Sequence, residues 1–189
     1  SDRVLAAMHR GYTAERYLER LGAARAAVPD LAVTTDIIVG FPGETDEDFE
    51  RTLDVVAAAE YDSAYTFLFS PRPGTEAANL VDRFVPPAVA AERFARLTVV
   101  VERSALLKHQ ARVGRTEKVL VEGTSRKDSS VLTGRTRQNK LVHFPSEPLA
   151  PGTLATVRVT TAAPHHLTGE LLEVTARPRH RTRIPVAAL

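Results

Sequence analysis

Apolar residues recur along the first half of the chain with two periods. Tyr17, Leu18, Leu21, Ala24 and Val28 fall at helical spacing. Thr13 stands ahead of them as an N-cap, and Glu15 sits in the first turn, where it favours the helix dipole. Pro29 ends this helix because it penalises helical geometry at Val28. Leu31 to Phe41 is rich in β-branched residues and apolar at both parities near its end. That is the pattern of a strand covered on both faces of a parallel sheet. Thr45 and Asp48 have the spacing of a short-armed capping box, and Phe49, Leu53, Val56 and Ala57 supply a buried stripe behind it. A second strand is expected over Ser63 to Phe69. Strand, helix and strand with short links make a βαβ unit, whose crossover should be right-handed. After Pro86 and Pro87 comes a long helix, with Phe94, Leu97, Val101 and Ala105 on its buried face.

The pattern changes near Arg112. Short apolar alternations cover Glu117–Glu122, Val131–Thr136, Leu141–Phe144, Leu154–Thr161 and Gly169–Val174, with glycines at 123, 134, 152 and 169 as punctuation. Five short strands in so few residues predict a small antiparallel, OB-like barrel. The fold class is thus α/β followed by all-β, with a first module over 1–108, a barrel over 109–175 and a tail over 176–189. Arg177 to Arg183 is basic without an apolar period and reads as a mobile tail.

Charge sharpens this division. Residues 1–111 carry 12 Lys and Arg against 17 Asp and Glu, a net −5. Residues 112–189 carry 13 against 6, a net +7. Opposite signs suggest modules with different partners, and a basic module of this size suits nucleic acid. There is no cysteine, which excludes disulfides, a zinc–thiolate site and an iron–sulfur cluster held by this chain. No apolar stretch approaches the roughly 18 residues of a membrane helix. Ser1-Asp2-Arg3-Val4 has neither an initiator Met nor a signal-peptide pattern, and reads as a cut inside a longer protein.

Three segments carry candidate chemistry. Thr35 to Thr45 is a strand, a glycine–proline turn and a helix start. In a parallel α/β fold, ligands bind beyond the carboxyl ends of the strands. Gly40 and Gly43 would let a ligand approach the backbone closely. Asp36 lies in an apolar strand, where an unpartnered carboxylate is costly, so it either faces a ligand or bonds a neighbouring loop or arginine to hold the fold. Ser70 to Thr75 also follows a strand, and Pro71 and Pro73 stiffen the loop around Arg72. That arginine suits a carboxylate or phosphate, or equally a surface salt bridge. The six histidines show no metal-binding spacing, so neither a metal site nor a complete catalytic set is expected.

The third segment is Gly134-Arg135-Thr136-Arg137-Gln138-Asn139-Lys140-Leu141-Val142-His143-Phe144. Cations, amides and an imidazole on a strand-and-turn surface can grip phosphates and reach unstacked bases. A solvated hairpin is the alternative. With Lys127, the candidate RNA contacts are Arg135, Arg137, Asn139, Lys140 and His143.

Met8-His9-Arg10-Gly11-Tyr12-Thr13, Thr35 to Thr45, and Phe69-Ser70-Pro71-Arg72-Pro73-Gly74-Thr75 together resemble, in order and spacing, the methylthiotransferase family of radical S-adenosylmethionine enzymes. Gly134 to Phe144 resembles the run of the TRAM domain that ends these enzymes, and its Asn139-Lys140-Leu141-Val142 favours the tRNA branch. The resemblance implies the C-terminal part of a partial (β/α) barrel followed by a TRAM barrel. It implies a cytoplasmic, monomeric parent enzyme that adds a methylthio group to an isopentenyl adenosine beside the tRNA anticodon. S-adenosylmethionine and two 4Fe-4S clusters are its implied cofactors, with the cluster cysteines absent here, so this piece alone is expected to be inactive. Thr35, Asp36, Gly40 and Glu44 would line or shape the adenosylmethionine wall, Arg72 would sit on the substrate side, and the barrel would meet the anticodon stem-loop. A stand-alone RNA-binding module without enzymatic activity is the other reading.

Overall fold

Two threonines open the main helices of the first half through the same local chemistry. The Thr13 hydroxyl accepts from the Arg16 amide at 3.3 Å and starts α2, Ala14–Ala27. The Thr45 hydroxyl accepts from the Asp48 amide at 3.2 Å while the Asp48 carboxylate accepts from the Thr45 amide at 2.8 Å, starting α3, Asp46–Ala59. Orphan donors are satisfied from both sides, as a capping box requires. These features come from a computed structural model that describes residues 1–125 and 128–178. The chain divides into two units, Ser1–Lys108 and His109–Leu189.

In the first unit a short α1, Asp2–Ala7, precedes α2. β1, Thr34–Val39, pairs in parallel with β2, Ser63–Leu68, in register from Thr34 opposite Ser63 to Val39 opposite Leu68. α3 connects them, and two 3-10 turns over Glu76–Asn79 and Val81–Arg83 lead to α4, Pro87–Gln110. Leu21, Val39, Phe49, Val56, Ala59, Tyr61, Leu97 and Val101 form the core. Ala59 takes the place expected of Ala57, which is exposed, because the stripe continues from Val56 by three residues.

β1 is shorter than the expected strand, and it is not covered on both faces. Ile38, Tyr65, Phe67 and Leu68 are 39%, 73%, 50% and 47% exposed. The physical reason is the sheet itself: among the described residues it has two strands, and the helices cover one side.

The second unit is a closed barrel of β3 (Thr116–Thr124), β4 (Val131–Thr136), β5 (Leu141–Pro145), β6 (Leu154–Ala162) and β7 (Leu167–Ala176), in the order β3-β4-β5-β7-β6. Four pairings are antiparallel, and closure comes from a parallel contact placing Val142 opposite Leu167 and His143 opposite Thr168. Val119, Leu132, Val142, Phe144, Val157 and Leu167 are fully buried inside.

Gly134 and Gly169 do not punctuate strands; each lies within one, β4 and β7. A Cβ on Gly134 would stand 2.5 Å from Val119 Cγ1 and 2.6 Å from the Leu120 carbonyl oxygen. On Gly169 it would stand 2.4 Å from Val157 Cγ1 and 2.6 Å from the Arg158 carbonyl oxygen. Both are places where backbones close to a distance only glycine permits.

Candidate functional site

β1 ends in a turn that the sequence builds from glycine and charge. Gly40 and Gly43 have φ of 78° and 81°, the left-handed region that favours glycine. The Gly43 amide donates to the Arg83 carbonyl at 2.7 Å. The Glu44 side chain folds inward, accepting from the Gly40 amide at 3.1 Å and from Arg93 at 2.8 Å. Burial pushes the Glu44 carboxyl above the usual range, against the opposing pull of the Gly40 amide and the Arg93 guanidinium. Arg93 also donates to Asp46 at 2.6 Å. Behind the turn, Asp48 holds Arg3 and accepts from Ser1 at 2.6 Å, which keeps its carboxyl far below the ordinary range.

An open cleft of about 930 Å³ runs along β1 from Thr35 and reaches the carboxyl ends of β1 and β2. Thr35, Asp36, Glu44 and Arg72 all line it. Gly40 does not: its missing Cβ faces Ala90 of α4 at 3.1 Å, so the close approach is by the protein and not by an open ligand space. Asp36 is exposed rather than buried in an apolar strand, because the sheet face it shares is open. Arg72 is exposed, and its carbonyl accepts from the Thr75 hydroxyl at 2.8 Å. Ile37, Ile38 and Phe41 add an apolar wall.

Two tyrosines at this cleft escaped notice in the sequence. Tyr61 donates its phenol to the Tyr17 oxygen at 2.8 Å, and burial, then Tyr17, hold that phenol above its usual titration range. Tyr17 read only as a member of the helical stripe; nothing local signals a partner 44 residues away.

On the barrel, the basic run folds into β4, a tight turn and β5. The Thr136 hydroxyl accepts from the amides of Gln138 and Lys140, both at 3.2 Å, and Asn139 takes φ of 57° at the turn. Arg137 is exposed and Asn139 is exposed. Arg135 is half-buried, donating to the Asn139 carbonyl at 3.1 Å and lying 3.5 Å from Glu122. Lys140 is 4% exposed, so it does not share the open surface of Arg137. His143 is half-buried against His166, with ring centroids 5.1 Å apart and planes at 69°. Lys127 lies outside the described residues, as do Arg179, Arg181 and Arg183 of the basic tail. Among the described residues no group of three His, Cys, Asp or Glu is placed to hold a metal ion, and no helix is long and apolar enough to cross a membrane.

Residues 1–56 match the radical SAM superfamily, and residues 110–172 match the TRAM domain. Among curated proteins the chain is similar to the tRNA-2-methylthio-N(6)-dimethylallyladenosine synthase of Acidothermus cellulolyticus, 54% identical over 88% of this chain and 34% of the relative. The protein of that name in Mycobacterium sp. (strain MCS) is 50% identical over 97% of this chain and 37% of the relative. That of Moorella thermoacetica is 48% identical over 92% and 39%. The chain therefore spans a little over a third of the length of the relatives it matches.

Proposed function

The chain belongs to the methylthiotransferase family of radical S-adenosylmethionine proteins, and from that membership we propose that it works as part of a tRNA-modifying enzyme. The enzyme adds a methylthio group to a dimethylallyl (isopentenyl) adenosine beside the anticodon. It acts in the cytoplasm as a monomer. The first unit supplies one wall of the S-adenosylmethionine cleft, and the barrel grips the anticodon stem-loop.

The reading is carried by one observation: Thr35 and Asp36 of β1 and Arg72, just beyond β2, line one cleft that also takes in Phe41 and Phe69 at the carboxyl ends of the two strands. That is where parallel α/β folds hold ligands. The residues present fit the cofactor. Asp36 and Thr35 would hold it by accepting hydrogen bonds from its hydroxyl or ammonium groups, and Ile38 and Phe41 would supply apolar surface for its base. When bound, S-adenosylmethionine supplies radical chemistry. Arg72 faces the RNA side and pairs with a phosphate. Glu44 stays off the cofactor, and through Gly40 and Arg93 it fixes the turn on which the wall stands. The iron–sulfur clusters of the family do not fit residues of this chain, which has no cysteine to ligate iron.

In the full-length protein, Asp36→Ala should weaken S-adenosylmethionine binding about tenfold or more, the size of a lost charged hydrogen bond. Formation of the methylthio nucleoside in tRNA, followed by mass spectrometry, should fall with it. Glu47→Ala, an exposed change on α3, should alter neither. Parent-like cofactor affinity in Asp36→Ala would contradict the wall assignment.

A further inference from the structure

His143 and His166 stand together on the outer face of the barrel. β5 alternates inward Val142 and Phe144 with outward Leu141 and His143. The parallel contact between β5 and β7 then sets His143 opposite Thr168, two residues beyond His166. Across the other edge His143 pairs with Thr133 of β4. The imidazoles meet edge to face, a geometry that aromatic quadrupoles favour, so each ring restricts the other.

The protonation state follows from burial. The Nδ1 atom of His143 is buried and finds no hydrogen-bond partner among the described residues. Burying a bare ring nitrogen costs less than burying an unsatisfied N–H. The neutral ring therefore keeps its proton on Nε2. Desolvation, then the neighbouring His166, oppose a second proton. His143 is therefore unsuited to gripping a phosphate by charge.

We propose that the His143–His166 pair is a base-contacting element of the RNA surface, stacking an unpaired nucleobase of a loop and acting separately from the phosphate contacts of the neighbouring arginines. This rests on the reading of the barrel as the RNA-binding unit. Two features favour a base over other occupants. Residues 112–189 carry the chain's excess of positive charge, so RNA is drawn to this half, and the two rings offer π surface within it. Thr133 and Thr168 flank the rings on the same face; the Thr133 hydroxyl donates to the Gly123 carbonyl at 3.2 Å, and that of Thr168 suits a base edge or a ribose 2′-OH. The sequence carries no local sign of this contact, since His143 and His166 meet only across the pairing of β5 with β7.

The test uses the whole chain, fluorescence anisotropy and two RNAs of equal length, one a hairpin with an unpaired loop and one a blunt duplex, at several salt concentrations. His143→Ala and His166→Ala should each weaken hairpin binding about 5- to 30-fold, the size of one lost base–aromatic stack. Duplex binding and the salt slope should stay as in the parent. The double variant should be little worse than the weaker-binding single variant, because the rings act as one unit. His166→Phe should restore most of the hairpin affinity. Arg137→Ala should instead weaken both RNAs and flatten the salt slope. Histidine variants that bind the hairpin like the parent, while Arg137→Ala still loses affinity, would overturn the base-contact proposal and leave the RNA reading standing. Equal losses on hairpin and duplex together with a lowered melting temperature would make the pair a packing element and also overturn it. A parent chain that binds neither RNA would overturn both.

Discussion

Arg93 of α4 donates to the Glu44 carboxylate at 2.8 Å, with the two side chains only 5% and 3% exposed. The pair ties the turn after β1 to a helix 49 residues away. Removing one partner of such a pair leaves a buried charge without compensation, at about 3–5 kcal/mol.

Arg93→Met should therefore lower stability by about that amount. Urea melts should show the loss easing as pH falls. Glu44 already has a folded-state pKa above its ordinary value. A raised carboxyl pKa means the folded state binds the proton more tightly, so stability declines as pH rises through the ordinary carboxylate range and above it. Losing Arg93 raises that pKa further, and acid relieves it. Glu44→Gln with Arg93→Met should be less damaging than the sum of the single changes. A penalty equal at pH 5 and pH 8 would contradict the assignment.

Gly134→Ala and Gly169→Ala should each destabilise the barrel by about 1–3 kcal/mol or prevent its folding, since the added carbon meets a backbone carbonyl. Gly22→Ala is the control. Gly22 sits inside α2 with nothing within 4 Å of a Cβ, and the change should stabilise by about 0.5–1 kcal/mol. Thermal melts of the three variants decide the point.

His143 should titrate below the ordinary histidine range, near 6.5 in free peptides, because burial and His166 oppose its charge. With a depressed histidine pKa the unfolded state binds the extra proton first. Stability is then full above the ordinary value and falls as pH drops through it towards the folded pKa. Proton NMR of the imidazole resonances gives the midpoint, and His143→Gln should flatten the pH dependence of melting between about pH 5 and 7. A His143 midpoint at or above the free-peptide value would contradict this.

The parts visible in the sequence are those that local chemistry decides. Thr45 and Asp48 cap α3 across three residues, and the alternation of Val142 and Phe144 marks an inner barrel face. What escaped depends on residues far apart. The Glu44–Arg93 pair, the Tyr17–Tyr61 bond and the His143–His166 contact all join separate elements. Gly134 looks like a turn residue until β3 is laid against it. Lys140 looks like a surface cation until the Thr136 hydroxyl folds the turn and carries it inward. Ile38 and Phe67 look like core, and stand open because the described sheet has only two strands.

Lys140→Ala should for the same reason act through folding more than through RNA contact, lowering the melting temperature while leaving the salt slope near that of the parent. A slope flattened by a full phosphate contact, with melting unchanged, would place Lys140 on the RNA surface instead.

The salt dependence of affinity for an anticodon stem-loop, measured on the whole chain and on Arg137→Ala, tests the RNA-binding role most directly. Binding should weaken linearly on a log–log scale as salt rises, and Arg137→Ala should flatten the slope by roughly 0.7 for one single-strand phosphate contact. Affinity that ignores salt, or a slope and affinity untouched by Arg137→Ala and by Arg135→Ala combined with it, would show the β4–β5 turn to be a solvated hairpin.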